Sequence, residues 1–314
     1  MTCAAHVDAL GQGFAGQLGV FSDRHLEGLT RLAEGIKKYD SIAICQLHHA
    51  GMRSPADLIG EAPLCPSADE ETGARAMTHA EVEAAIEHFI EAAIRCEKAG
   101  FHGVELHGAH GYLLCQFLSA KINRREDEFG GSLENRSRVL LDVIKGIRAR
   151  CNPDFMLGVR LSPERFGLRL GEMVSLARQL MQEGQIDFLD MSLWDSFKEP
   201  EEEDMKGRSL MSYFTELERH NVRLGVAGNI RTPADVEKAM AAGADWIMLG
   251  RVAILHHDFP LRYQADPDFE PLQVPVSEAH LRKEGLSDKF ISYMRNWPGF
   301  IAEEAEKAEE AEAG

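Results

Sequence analysis

The chain has 314 residues, 44% of them hydrophobic, and a formal net charge of −17. That length suits one large α/β barrel or two ordinary domains, because such barrels run to ~250 residues or more. The acidic balance argues against nucleic acid and anionic membrane as general partners, since phosphate backbones need a basic footprint. No run of about 18 uninterrupted apolar residues occurs, and no charged segment followed by a long apolar one opens the chain. Neither a membrane span nor a secretory signal is predicted, and a cytoplasmic location is expected. Six cysteines (Cys3, Cys45, Cys65, Cys96, Cys115, Cys151) lie scattered without a CxxC pair. They read as buried thiols, and no zinc site, iron–sulfur cluster or disulfide framework is expected.

In chain order, residues 2–5 read as a strand, 24–38 as a helix and 42–47 as a second strand. A long excursion over 51–77 leads to a helix over 79–99, where Thr78-His79-Ala80-Glu81 fits a capping box. Strands then follow at 103–106, 156–161, 188–192, 223–227 and 246–249, with helices at 132–150, 171–183, 209–220 and 233–242. Thr232-Pro233 starts the last of these with a hydroxyl cap and a proline in the first turn. This alternation of apolar strands and helix-periodic segments is the pattern of a parallel α/β fold. Both long excursions, 51–77 and 108–131, follow strands. In a parallel barrel such loops gather on the face that carries the active site. No Pro/Gly/Ser linker divides the chain. A single barrel domain is expected over 1–300, with an acidic tail over 301–314 whose Ala/Glu/Lys run reads as a solvated helix or frayed end.

The segment Gly103-Val104-Glu105-Leu106-His107-Gly108-Ala109-His110-Gly111-Tyr112 runs an apolar strand directly into two histidines and a tyrosine. Two ring N–H groups on one oxygen polarise a carbonyl. A phenol with an ordinary pKa near ~10 serves as a proton donor. The trio points to reduction or isomerisation beside a carbonyl; the alternative is that it only satisfies backbone groups in a βα loop. Further on, Gly228-Asn229 and Gly250-Arg251 end successive strands, and Gly243 precedes the second of these. Glycine backbone there can approach a phosphate while Arg251 adds a charged fork, although each glycine alone also serves a tight turn. Neither GxGxxG after a strand nor GxxxxGK[ST] occurs, so a barrel-type cofactor such as FMN fits better than a Rossmann or P-loop nucleotide.

Together these residues resemble the old yellow enzyme family of FMN-dependent ene-reductases, from about Gly16 to Pro260. The most specific block extends from Gly103 through Gln116-Phe117-Leu118-Ser119, Asn123, Arg125 and Asp127 to Phe129-Gly130-Gly131-Ser132-Leu133-Glu134-Asn135-Arg136. Gln46-Leu47-His48-His49-Ala50-Gly51 and Gly158-Val159-Arg160-Leu161-Ser162 stand in family order beside it. The resemblance implies a (β/α)8 TIM barrel that takes hydride from NAD(P)H and reduces an activated alkene. It implies that His107 and His110 hold the substrate's carbonyl oxygen and that Tyr112 protonates Cα. Gln46 would bond the flavin ring, Arg160 would sit at its N1/O2 edge and Ala4 would back it. Gly228, Asn229, Gly250 and Arg251 would hold its phosphate. Asn123, Arg125, Asp127, Asn135 and Arg136 read as loop anchors, and Asp190 is an alternative partner for Arg160.

Family members begin with a further βα unit, whereas this chain starts within the second barrel strand. An incomplete barrel, weak FMN binding and self-association into a homo-oligomer are therefore expected. Two other readings stand beside the ene-reductase. One is a different phosphate-binding barrel enzyme, which needs a Schiff-base lysine or paired carboxylates in the mouth. The other is a flavin-poor barrel acting through protein contacts.

Overall fold

The structure is a computed structural model that describes residues 1–302, so the acidic run at 303–312 lies outside the described residues. The chain divides into two compact units, Met1–Leu193 with Phe197–Val226, and Trp194–Ser196 with the chain from Ala227 onward.

In the first unit the strands are β1 (Ala4–His6), β2 (Ile44–His48), β3 (Leu64–Cys65), β4 (Arg75–Ala76), β5 (Gly103–Gly108), β6 (Met156–Leu161), β7 (Phe188–Ser192) and β8 (Arg223–Ala227). The main sheet follows the order β1-β2-β5-β6-β7-β8, and β1 through β7 pair in parallel. β3 and β4 form a small ribbon of their own inside the excursion after β2. Helices Leu26–Lys37, His79–Lys98, Leu133–Arg150 and Leu170–Glu183 alternate with the strands, each starting within two residues of its predicted position.

The helix His79–Lys98 shows why. Thr78 Oγ1 accepts from Glu81 N while Glu81 Oε2 accepts from Thr78 N, the expected capping box, worth about 1 kcal/mol. Val82, Ala85, Phe89, Ala93 and Cys96 then fall on one buried face at helical spacing. The free edge of β1 is partly covered. His6 N donates to Leu18 O and Val20 N donates to His6 O, so a bridge at Gly19 runs parallel to the strand.

The predicted helix over 209–220 is reduced to Ser212–Thr215. Ser212 bonds through both its N–H and its hydroxyl to Ser209, a local alternative to a helical ladder, and Leu210, Met211 and Phe214 anchor the turn in the core.

The second unit contains β9 (Trp246–Ile247), shorter than the predicted 246–249, and the helices Pro233–Ala241, Arg251–Leu255, Phe259–Ala265, Glu278–Lys283 and Asp288–Met294. Its core is formed by Leu255, Val276, Leu281, Ile291, Met294 and Phe300. Each such side chain contributes about 1.5–3 kcal/mol by leaving water. Among the described residues no helix is long and apolar enough to cross a membrane.

Candidate active site

A strand turns successive side chains to opposite faces, so register decides which residues meet. Gln46 pairs with Glu105, His107 with Arg160 and Arg160 with Asp190, which sets these residues, His48 and Ser192 on one face of the sheet. Ala4, opposite Gln46, extends the row. Val104 and Leu106 point the other way and are fully buried. One face of the sheet thus carries chemistry and the other carries core.

His107 Nδ1 accepts from Ala109 N at 3.4 Å, which leaves the ring proton on Nε2. That Nε2 lies 3.2 Å from His110 Nδ1, and His110 Nε2 lies 2.6 Å from Ser192 Oγ. The two rings therefore donate in series, His107 to His110 to Ser192, instead of both toward one point. Arg160 Nη2 also donates to Ser192 Oγ, at 3.1 Å. Tyr112 stands edge-on to His48 and His107, with ring centroids 4.3 and 5.0 Å away.

Burial, followed by neighbouring imidazoles and Arg160, holds His107 well below the usual imidazole range. Burial, then Arg160 and Arg53, pushes His110 down to about 3, and burial with the adjacent His49 takes His48 to about 3. All three rings are neutral donors at pH 7. His110 has φ +62° and Gly111 φ +71°. Left-handed backbone at a residue with a Cβ costs ~1–2 kcal/mol. A bond from His110 N to Ser162 Oγ at 3.0 Å helps hold it.

Below this chain of donors lies a buried pair of carboxyl groups, Glu105 and Asp190. Gln46 Nε2 donates to Glu105 Oε2 at 2.5 Å, and Arg160 Nε lies 3.1 Å from Asp190 Oδ2. The latter is an ion pair without an aligned hydrogen bond, because Arg160 Nε and both Asp190 oxygens lack a hydrogen-bond partner. Burial, then the charge of Asp190, raises Glu105 to about 8 despite Arg160 and Gln46. Burial also raises Asp190 against the pull of Arg160. Asp190 thus partners Arg160, while Nη1 of the guanidinium has no partner among the described residues.

Four of the five expected anchors pin the long loops, whereas the Asn135 side chain accepts from Arg138 within its own helix. Asn123 Nδ2 donates to Phe117 O and Phe129 O, both at 2.7 Å. Arg125 grips Asp127 and the carbonyls of Pro66 and Met77, and Arg136 reaches Gly131 O, Leu118 O and Glu172. Three residues that sequence reasoning passed over, Gln116, Ser192 and Glu105, complete the framework. Gln116 accepts from Met52 N and donates to Ala50 O and Gly111 O, tying the loop after β2 to the loop after β5. An inward polar residue two places before His107 was the available signal for Glu105.

In the second unit, Asn229 adopts φ +52° and donates from Nδ2 to Asp195 Oδ2 at 3.0 Å. A Cβ at Gly228 would come within 3.1 Å of Asp195 N, Ser196 N and Ser196 Oγ, so a close backbone approach requires glycine there. Gly250 faces open space and is followed by Arg251. Arg251 and Arg231 line a cavity of about 110 Å³ together with Gln273 and Trp297. Burial and then the like charge of Arg231 depress Arg251, and Arg231 Nε is buried without a partner. Two guanidiniums side by side, with no carboxylate paired to either among the described residues, fit an anion such as the FMN phosphate. In the first unit, the open Nη1 of Arg160 and the small Ala4 fit the edge and face of a flavin ring. Arg231 was not singled out in the sequence, although it follows Gly228-Asn229-Ile230 directly.

A comparison with protein families matches residues 1–268 to the NADH:flavin oxidoreductase / NADH oxidase family. An NADPH dehydrogenase of Bacillus cytotoxicus is 34% identical over 262 residues, 81% of this chain and 73% of that protein. An NADH oxidase of Thermoanaerobacter brockii is also 34% identical, over 80% of this chain, and the chain spans only 40% of that enzyme's length. Among solved structures, the old yellow enzyme homologue of Zymomonas mobilis superposes with a TM-score of 0.74 at 27% identity, covering 88% of this chain and 81% of the other. The fold is therefore the α/β TIM barrel of those enzymes. The chain belongs to the NADH:flavin oxidoreductase / NADH oxidase family, FMN-dependent oxidoreductases of the old yellow enzyme type that draw on NAD(P)H.

Proposed function

We propose that the protein is an ene-reductase, transferring hydride from NAD(P)H to a C=C conjugated with a carbonyl or nitro group. Bound FMN supplies the hydride relay between the two substrates. The chain's own residues do the rest. His107 and His110 donate N–H to the substrate oxygen, exchanging their present bonds to each other and to Ser192 for bonds to substrate. Because both rings are neutral, they polarise the oxygen without giving it a proton. Tyr112 hands its phenolic proton to Cα as hydride arrives at Cβ, and solvent restores the phenol. Gln46, Ala4 and Arg160 hold the flavin ring, and Gly228, Asn229, Gly250 and Arg251, joined by Arg231, hold its phosphate.

The observation that carries this reading is the neutral donor series His107–His110–Ser192, set beside Tyr112 on the same sheet face as Arg160. A Schiff-base aldolase is disfavoured because that face presents no lysine. The test is anaerobic turnover of the flavin-loaded protein with NAD(P)H and 2-cyclohexenone. Stoichiometric cyclohexanone is expected. A flavin-loaded protein that reduces neither enones nor nitroalkenes overturns the proposal.

A further inference from the structure

Arg53 closes the short turn Gly51–Arg53 after β2. Its Nη1 donates to His110 O at 2.6 Å, and its Cζ lies 5.0 Å from the centre of the Tyr112 ring. The residue is exposed, and no carboxylate pairs with it among the described residues. In the same unit Arg75, Arg95, Arg125, Arg148 and Arg150 all have acidic partners. Arg53 instead sets its charge against His110 and Tyr112, neither of which offers an anion in return.

We propose that Arg53 selects substrates bearing a carboxylate in addition to the group that activates the alkene, such as a 4-oxo-2-enoate; this rests on the ene-reductase reading. The carbonyl of such a substrate goes to the histidines, and its carboxylate goes to Arg53. The guanidinium is held at one nitrogen by His110 O and by its stack on the phenol, while Nε and Nη2 remain as a fork for a carboxylate. Little side-chain freedom is left to lose on binding, which favours an anion over a neutral isostere.

The test compares 4-oxopent-2-enoate with its methyl ester, a pair that differs essentially in charge, in wild type, Arg53→Gln and Arg53→Lys. Wild type is expected to favour the acid in kcat/KM. Arg53→Gln should lower the acid-over-ester ratio about tenfold or more, mainly through KM, as loss of one charge-assisted pair requires. Arg53→Lys should keep part of the preference, and added salt should erode it. Equal losses for acid and ester, or no acid preference in wild type, overturn the proposal. Calorimetric binding of the saturated acid 4-oxopentanoate needs no turnover. Equal affinity in wild type and Arg53→Gln overturns the role of Arg53 by itself, whereas failure to reduce either alkene, with that binding difference intact, overturns only the ene-reductase reading.

Discussion

Glu105 lies on the same sheet face as His107, two residues before it, and its raised carboxyl keeps its proton at neutral pH. Its carboxyl is raised from 4.5 to about 8 by burial and by Asp190. The folded state therefore binds that proton more tightly than the unfolded one. The associated stability is fully present below pH ~4.5 and is lost as pH rises through about 8. His48 and His110 act in the opposite sense. Both are lowered from 6.5 to about 3, so their contribution is present above pH ~6.5 and is lost as pH falls toward 3. Thermal melts should thus show wild type losing stability between pH ~6.5 and ~8.5, with Glu105→Gln nearly flat across that window. Parallel curves would rule out a proton on Glu105. The proposed trio was legible because His107, His110 and Tyr112 lie within one short segment. The Glu105–Gln46 and Arg160–Asp190 partnerships were less so, since they depend on register between strands distant in sequence.

At the level of elements, the strands were readable because buried parallel strands are short apolar runs bounded by turn residues. The long helices announced themselves through caps and periodicity. The chain after residue 250 offered little, since its helices run only five to seven residues and carry no sustained period. Loop anchoring was legible for Asn123, Arg125, Asp127 and Arg136, whereas Gln116 stood in the same block without a role, because its three partners lie on two loops that only the fold brings together. Gln116→Leu removes three hydrogen bonds from a buried position and leaves their backbone partners unsatisfied. Denaturant unfolding should show a loss of about 1–3 kcal/mol. Gly51→Ala should also destabilise, because φ is +62° and the new Cβ would come 2.2 Å from Gln116 Oε1. Wild-type midpoints for both variants would show that the two loops do not depend on this clasp.

For the molecule as a whole, the proposed chemistry requires FMN, and on that proposal the paired guanidiniums of the second unit hold its phosphate. Arg231→Gln and Arg251→Gln should each weaken FMN retention about tenfold through loss of a charge-assisted phosphate contact, measured by flavin fluorescence after dialysis. Retention equal to wild type in both would place the phosphate elsewhere. The acidic surface charge affects solubility and choice of partner more than it affects this chemistry. In the proposed mechanism Tyr112 supplies the proton for alkene reduction and has no part in taking hydride from NAD(P)H. Anaerobic stopped-flow on flavin-loaded wild type and Tyr112→Phe separates the two half-reactions. In Tyr112→Phe, flavin reduction by NAD(P)H should keep its wild-type rate while reoxidation by 2-cyclohexenone slows about 100-fold or more. Equal slowing of both halves, or reoxidation at the wild-type rate, would contradict it.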